Sequence, residues 1–149
     1  MEYTAATISK IVKGKLIQQG NFSPIKYLLT DSRQLFSPDE TIFFALESSR
    51  RSGINYVKEL YEKGVRNFVV SKPPEENFSN ANFILVKDTT LALKQLASAH
   101  RKNFSCPVIG ITGSNGKTIV KEWLNQLLGN DFKIVRSPKS YNSQIGVPL

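Results

Sequence analysis

The sequence predicts an α/β chain in two parts: helices layered over a mixed or mostly parallel sheet, then a β-loop-α-β unit that opens a second domain. Three observations carry this. Short β-branched and aromatic runs (KYLLT, TIFFAL, VRNFVVS, FILV) alternate with stretches whose apolar residues fall at helical spacing. Over residues 26–101 the elements run β-β-α-β-β-α, close to an α/β layer without strict alternation. A break at KNFSCP (102–107) ends one helix with a proline behind it, and a strand pattern restarts at Val108.

The elements follow in order. Residues 4–13 place Ile8, Ile11 and Val12 on one helical face, with Gly14 as the stop. KYLLT (26–30) is a short buried strand that runs into the polar Asp31, Ser32 and Arg33. SPDE (37–40) is a turn, and TIFFAL (41–46) a strand in which Phe43 and Phe44 face opposite sides, one toward the core and one toward a pocket. ESSRRSG (47–53) is a polar loop. Ile54, Val57, Leu60 and Tyr61 mark a helix that Gly64 ends. VRNFVVS (65–71) and FILV (83–86) are strands joined by the loop 72–82, and Asp88 or Thr89 caps a helix through about Arg101. In the second part, VIGIT (108–112) is a buried strand and SNGK a tight turn. A helix at 118–129 carries Ile119, Val120, Trp123, Leu124, Leu127 and Leu128 on one face, and FKIVRS (132–137) is a further strand. Trp123 is expected in the core on that stripe.

Composition narrows the classes. The chain has 149 residues, 40 % apolar and 21 % charged, with 20 Lys plus Arg against 12 Asp plus Glu for a net charge of +8. That is a globular composition with room for one ordinary domain or two small ones. No apolar run approaches a membrane span, and the N-terminus lacks the apolar stretch of a signal peptide, so a cytoplasmic protein is expected. A single cysteine, Cys106, leaves no internal disulfide and no cysteine metal cluster; without an activating neighbour it reads as a structural thiol. The basic residues are scattered, and no zinc-ligand set or RNA-binding aromatic strand accompanies them, so nucleic acid is not the expected partner. His100 lies on a helix without a metal-ligand cluster and reads as structural.

The chemistry concentrates in Thr112-Gly113-Ser114-Asn115-Gly116-Lys117-Thr118, between a predicted strand and a predicted helix. Gly113 and Gly116 let backbone N–H groups turn inward around phosphate oxygens, and Ser114 and Asn115 complete the loop. The helix start adds its positive dipole end. Lys117 supplies a mobile charge for the β- and γ-phosphates, and Thr118 a hydroxyl for Mg²⁺. The general phosphate-loop pattern wants glycine at position 111, where this chain has Ile111; only the compact form T-G-S-N-G-K-T is present.

That compact form, followed by Val120-Lys121-Glu122, resembles the ATP loop of the Mur ligases, and most of all the MurF type, which adds D-Ala-D-Ala to UDP-MurNAc-tripeptide. Asp31-Ser32-Arg33 followed by Ile42-Phe43-Phe44-Ala45-Leu46 is similar to the D-[ST]-R…L-F-F-A-L signature of the family's uridine-nucleotide domain. Tyr141-Asn142-Ser143-Gln144-Ile145-Gly146-Val147-Pro148-Leu149 resembles its N-N-x-I-G-V-P segment, and the wording around it resembles forms fused to an alanine racemase. The chain departs from the pattern at Ile54, where histidine usually follows the glycine, and at Ser143, where a second asparagine is usual.

The resemblance implies a UDP-substrate-binding domain over residues 1–103 and the start of a central ATP-binding domain over 104–149. It implies an N-terminal part of a longer ligase, inactive by itself. Lys117 and Thr118 are then the catalytic residues. Gly113, Ser114, Asn115, Gly116, Lys117 and Thr118 bind ATP, with Mg²⁺ at Thr118; Ser32, Arg33, Phe44 and Asn142 bind the UDP substrate. On the residues alone, Ser32 and Arg33 also read as a turn with a surface arginine, Asn142 as a loop asparagine, and Arg50 and Arg51 as a solvated loop that can face phosphates. A MurE-type ligase that adds an amino acid, or a stand-alone nucleotide-binding module, are the competing readings.

Overall fold

The computed structural model describes residues 3–18, 20, 23–47, 52–138, 143 and 145–148. The chain divides into two compact units, Met1–Arg101 and Lys102–Leu149.

In the first unit, helix α1 (Ala5–Ile11) begins with a capping box: Thr4 accepts the N–H of Thr7 while the Thr7 hydroxyl accepts that of Thr4. Strand β1 (Lys15–Gln18) follows, a short run whose sequence carries little strand pattern. Then come β2 (Tyr27–Leu29), β3 (Thr41–Phe44), α2 (Val57–Glu62), β4 (Asn67–Val70), β5 (Asn82–Leu85) and α3 (Thr89–Arg101). The sheet order is β1-β5-β4-β3-β2. Neighbours from β2 to β5 are parallel, and β1 closes the far edge antiparallel to β5. This is the expected mixed sheet with flanking helices. At the start of α3, Oδ1 of Asp88 accepts the N–H groups of Thr90 (2.7 Å) and Leu91 (3.0 Å), the cap the sequence predicts there.

The sheet is buried on both faces. On one, Leu29, Phe43, Phe68, Val70 and Phe83 pack with Val57 and Leu60 of α2 and with Phe78 from the β4–β5 loop. Phe68 and Phe83 stack with ring centroids 4.9 Å apart, and Phe78 lies 5.5 Å from Phe83. Ile42, Phe44, Val69 and Ile84 alternate with these residues and are buried on the opposite side, where α1 contacts β1, β5 and α3. A polar ladder crosses the N-terminal ends of the parallel strands. Asn82 Nδ2 donates to Asn67 Oδ1 (2.7 Å), and the backbone N–H of Gly20 donates to Asn82 Oδ1 (2.9 Å). Two paired buried amides fix the β4–β5 register, because a slip would leave both unsatisfied. The Tyr3 hydroxyl lies 3.0 Å from Nδ1 of His100, which gives the histidine the structural role expected of it.

The second unit departs from expectation. Helix α4 (Lys117–Leu128) forms where predicted. The segments 108–112 and 132–137 are not strands. Val108, expected in a buried strand, is 65 % exposed, and Val135 in the second segment is 96 % exposed. A strand exists only where a neighbour completes its hydrogen-bond ladder, and among the described residues neither segment has one. For the same reason Trp123 is 61 % exposed rather than core, and Cys106 is exposed rather than packed. Among the described residues no helix is long and apolar enough to cross a membrane.

Candidate nucleotide-binding sites

The first candidate site lies along one edge of the sheet. Because β2, β3 and β4 are parallel, all three chains leave at the same edge, and open α/β sheets bind ligands outside the carboxyl ends of their strands. Beyond β2, Asp31 caps a single 3₁₀ turn, Ser32–Gln34: its Oδ1 accepts the Arg33 N–H at 3.1 Å. The Arg33 side chain folds back on the same carboxylate, Nε to Oδ1 at 2.9 Å and Nη2 to Oδ2 at 2.5 Å. This pairing raises the Arg33 pKa above its ordinary value, chiefly through the hydrogen bond to Asp31 and then through its charge. Ser32 is half-buried and Arg33 exposed.

Beyond β3, Glu47 Oε1 accepts the Ser52 hydroxyl (3.0 Å) and lies 3.4 Å from the Ser71 hydroxyl at the end of β4. Gly53 donates its N–H to the Leu46 carbonyl (3.0 Å), and a Cβ there would meet the Ala45 carbonyl carbon at 2.5 Å. Only glycine passes this close to the strand end. Ile54, the departure from the family pattern, packs partly buried against the core. Phe43 and Phe44 are 1 % and 0 % exposed. The expectation that one of them lines a pocket is therefore corrected: both faces of β3 are covered, and both rings belong to the core. Arg50, Arg51 and Asn142 lie outside the described residues.

The second candidate site is the loop before α4. Gly113 (φ 144°) and Gly116 (φ 76°) both hold left-handed backbone, and Gly116 is the N-cap residue of the helix. A Cβ on Gly116 would meet nothing within 4 Å, so the demand for glycine there is conformational and not steric. Lys117 bends back over the loop, and its Nζ donates to the Gly113 carbonyl. Ser114, Asn115 and Thr118 are exposed beside it. Farther along α4, Glu122 receives Lys121 (3.1 Å) and Arg136 (2.6 Å), while Lys121 Nζ also donates to the Ser137 carbonyl (2.9 Å). Among the described residues no group of three His, Cys, Asp or Glu side chains gathers to hold a metal alone.

No family model matches the chain. Relatives do. A UDP-N-acetylmuramoyl-tripeptide–D-alanyl-D-alanine ligase of Bacillus subtilis is 36 % identical over 98 % of this chain and 32 % of its own length. The ligase of the same name from Escherichia coli is 30 % identical over 98 % of the chain and 31 % of its own length. Among solved structures, MurF from Acinetobacter baumannii superposes with a TM-score of 0.88 at 30 % identity, covering 99 % of this chain and 32 % of that one. The chain belongs to the MurF-type Mur ligases. It spans about a third of the length of the relatives it matches. MurF from Thermotoga maritima, solved in complex with ADP, matches 83 % of the chain with a TM-score of 0.70 and 28 % identity. The sequence offered Asp31 only as part of the Asp31-Ser32-Arg33 signature, with no sign that its carboxylate would hold Arg33, and it carried no signal for the contacts of Glu47 with Ser52 and Ser71.

Proposed function

We propose that this chain supplies the uridine-nucleotide domain and the phosphate loop of a cytoplasmic ATP-dependent ligase that joins D-Ala-D-Ala to UDP-MurNAc-tripeptide. One observation carries the reading: Gly113 and Gly116, both left-handed, turn a loop at the start of a twelve-residue helix with the Lys117 ammonium folded over it. Such a loop directs N–H groups and the positive end of the helix at an anion. The ammonium already rests against a loop carbonyl, a contact that triphosphate oxygens would replace with a stronger, charge-assisted one.

In the whole ligase, ATP phosphorylates the tripeptide carboxylate, and the amine of D-Ala-D-Ala attacks the resulting acyl phosphate and displaces phosphate. Lys117 and the amides of Gly113–Gly116 neutralise charge on the transferring phosphoryl group. The donor set fits a magnesium ion held mainly by its nucleotide: the Thr118 hydroxyl would be its protein ligand, and the ion would supply neutralising charge to the phosphates. Ser32 and Arg33, at the edge where the parallel strands leave, hold the UDP part of the substrate.

An amide-resolved NMR titration tests this, first with UDP and then with Mg-ATP, repeated on Arg33→Ala. UDP is expected to shift signals around Ser32 and Arg33 and to lose that effect in the variant, and Mg-ATP to shift Gly113–Thr118. Perturbation by Mg-ATP alone would remove the uridine-nucleotide assignment and leave the phosphate loop.

A further inference from the structure

Arg33 is not a free cation. Two of its guanidinium N–H groups are committed to Asp31, through Nε and Nη2, and the same carboxylate caps the backbone of the turn on which Ser32 and Arg33 sit. A guanidinium has five N–H donors in one plane. With the Nε/Nη2 side taken, the outer edge of the guanidinium, one N–H of Nη1 and the second of Nη2, is left facing away from Asp31 in a plane that the pairing sets. The side chain is otherwise 78 % exposed. An arginine that exposed spends its rotamer freedom on binding unless something has already removed it. Asp31 removes it in the free protein.

We infer that Asp31 is a positioning residue for the anionic part of the ligand: it sets the Arg33 guanidinium, and the turn bearing Ser32, in the binding geometry before a phosphate-bearing ligand arrives. This rests on the uridine-nucleotide reading above, with the diphosphate of UDP as the anion. The role has a sign that separates it from simple electrostatics. A carboxylate beside an anion site repels the anion, so if Asp31 acted only through its charge, removing it would tighten UDP binding. If it acts by pre-setting Arg33, removing it weakens binding although the site becomes more positive.

The experiment is a calorimetric titration of the whole 149-residue chain with UDP, in wild type, Asp31→Asn, Asp31→Ser, Arg33→Ala and the Asp31→Asn/Arg33→Ala double variant. Asparagine and serine both keep a side-chain acceptor for the turn, so each variant retains a cap, and the dispersion of its amide spectrum confirms the fold. Affinity for UDP is expected to fall about 5- to 10-fold in Asp31→Asn and Asp31→Ser, the scale of one charge-assisted hydrogen bond. Adding Asp31→Asn to Arg33→Ala is expected to cost no more than Arg33→Ala alone, because Asp31 acts through that arginine. Uridine, which lacks the diphosphate, is expected to bind all five proteins alike.

Unchanged or tighter UDP binding by Asp31→Asn overturns the inference, and so does an equal loss in the Arg33→Ala background. Failure of the uridine-nucleotide reading looks different: wild type itself then shows no heat with UDP, and the inference falls with it.

Discussion

The two units carry equally strong patterns and make very different use of them. Residues 3–101 close a core on both faces of a five-stranded sheet, with Phe43, Phe44, Phe68 and Phe83 out of contact with water. Residues 102–148 hold an amphipathic helix of comparable quality, yet none of its side chains is buried: Trp123 is 61 % and Leu127 74 % exposed. The difference is in partners. In the first unit each apolar face has a second layer, α2 on one side and α1 with α3 on the other. In the second, the segments that would lie under α4 have no ladder to join. Periodicity says which face of an element is apolar; stabilisation comes only when another element takes that face out of water.

The most forceful way to break this comparison is to cut the same kind of group from each unit. Phe68→Ala removes a fully buried ring stacked on Phe83 and is expected to cost about 3–5 kcal/mol, enough to unfold a small sheet domain. Trp123→Ala removes a larger but exposed ring and is expected to stay within about 0.5 kcal/mol. Urea denaturation followed by circular dichroism reads both. Comparable losses from the two would mean that α4 has a packed partner and that the contrast is wrong.

Hydrogen exchange sharpens the contrast without a mutation. Amides of Phe68–Val70 sit in a central parallel strand and are expected to exchange about a hundredfold or more slowly than those of Ile119–Leu127, whose helix opens locally. Uniform protection along the chain would contradict it.

What the sequence disclosed follows the same division. TIFFAL, VRNFVVS and FILV declared themselves as strands through their β-branched and aromatic residues, and the sheet confirms them. VIGIT and FKIVRS looked as strand-like but failed, since a run can state a preference without supplying its neighbour. β1 went unseen for the converse reason: Lys15–Gln18 is a strand because β5 offers it an edge. The expectation that β3 turns one phenylalanine toward a pocket failed because both faces of that strand are covered. The glycine turn before α4 was legible because its glycines answer to backbone geometry. The contact of Asp31 with Arg33 was not, since a side-chain rotamer leaves no periodic trace.

Gly116→Ala tests whether that loop is conformational. A left-handed residue with a Cβ costs roughly 1–2 kcal/mol, and no neighbour would clash to add to this. The variant is expected to fray the start of α4 and weaken Mg-ATP binding while leaving the amide spectrum of residues 3–101 unchanged. A spectrum that changes throughout would show the two units coupled through this loop.

The smallest effect concerns what holds the second unit together in place of a core. Glu122 takes Lys121 and Arg136 at once, which ties α4 to the segment after it. The hydrogen bond from Lys121 holds its carboxyl below the ordinary carboxylate range, aided by the charge of Arg136 and opposed by partial desolvation. A carboxyl lowered in the folded state contributes stability at pH values above its unfolded pKa and loses it as pH falls through the lowered one. The tie is therefore complete at neutral pH and is expected to loosen only in acid, below the ordinary carboxylate range. The Trp123 indole signal, followed as pH is lowered, should show an acid step that Glu122→Gln abolishes and that salt diminishes, because the pair is solvent-exposed. If the step persists in Glu122→Gln, another group governs the acid behaviour of this unit. If no step occurs at all, the ion pairs do not hold α4, and the second unit rests on helix propensity and its N-terminal turn alone.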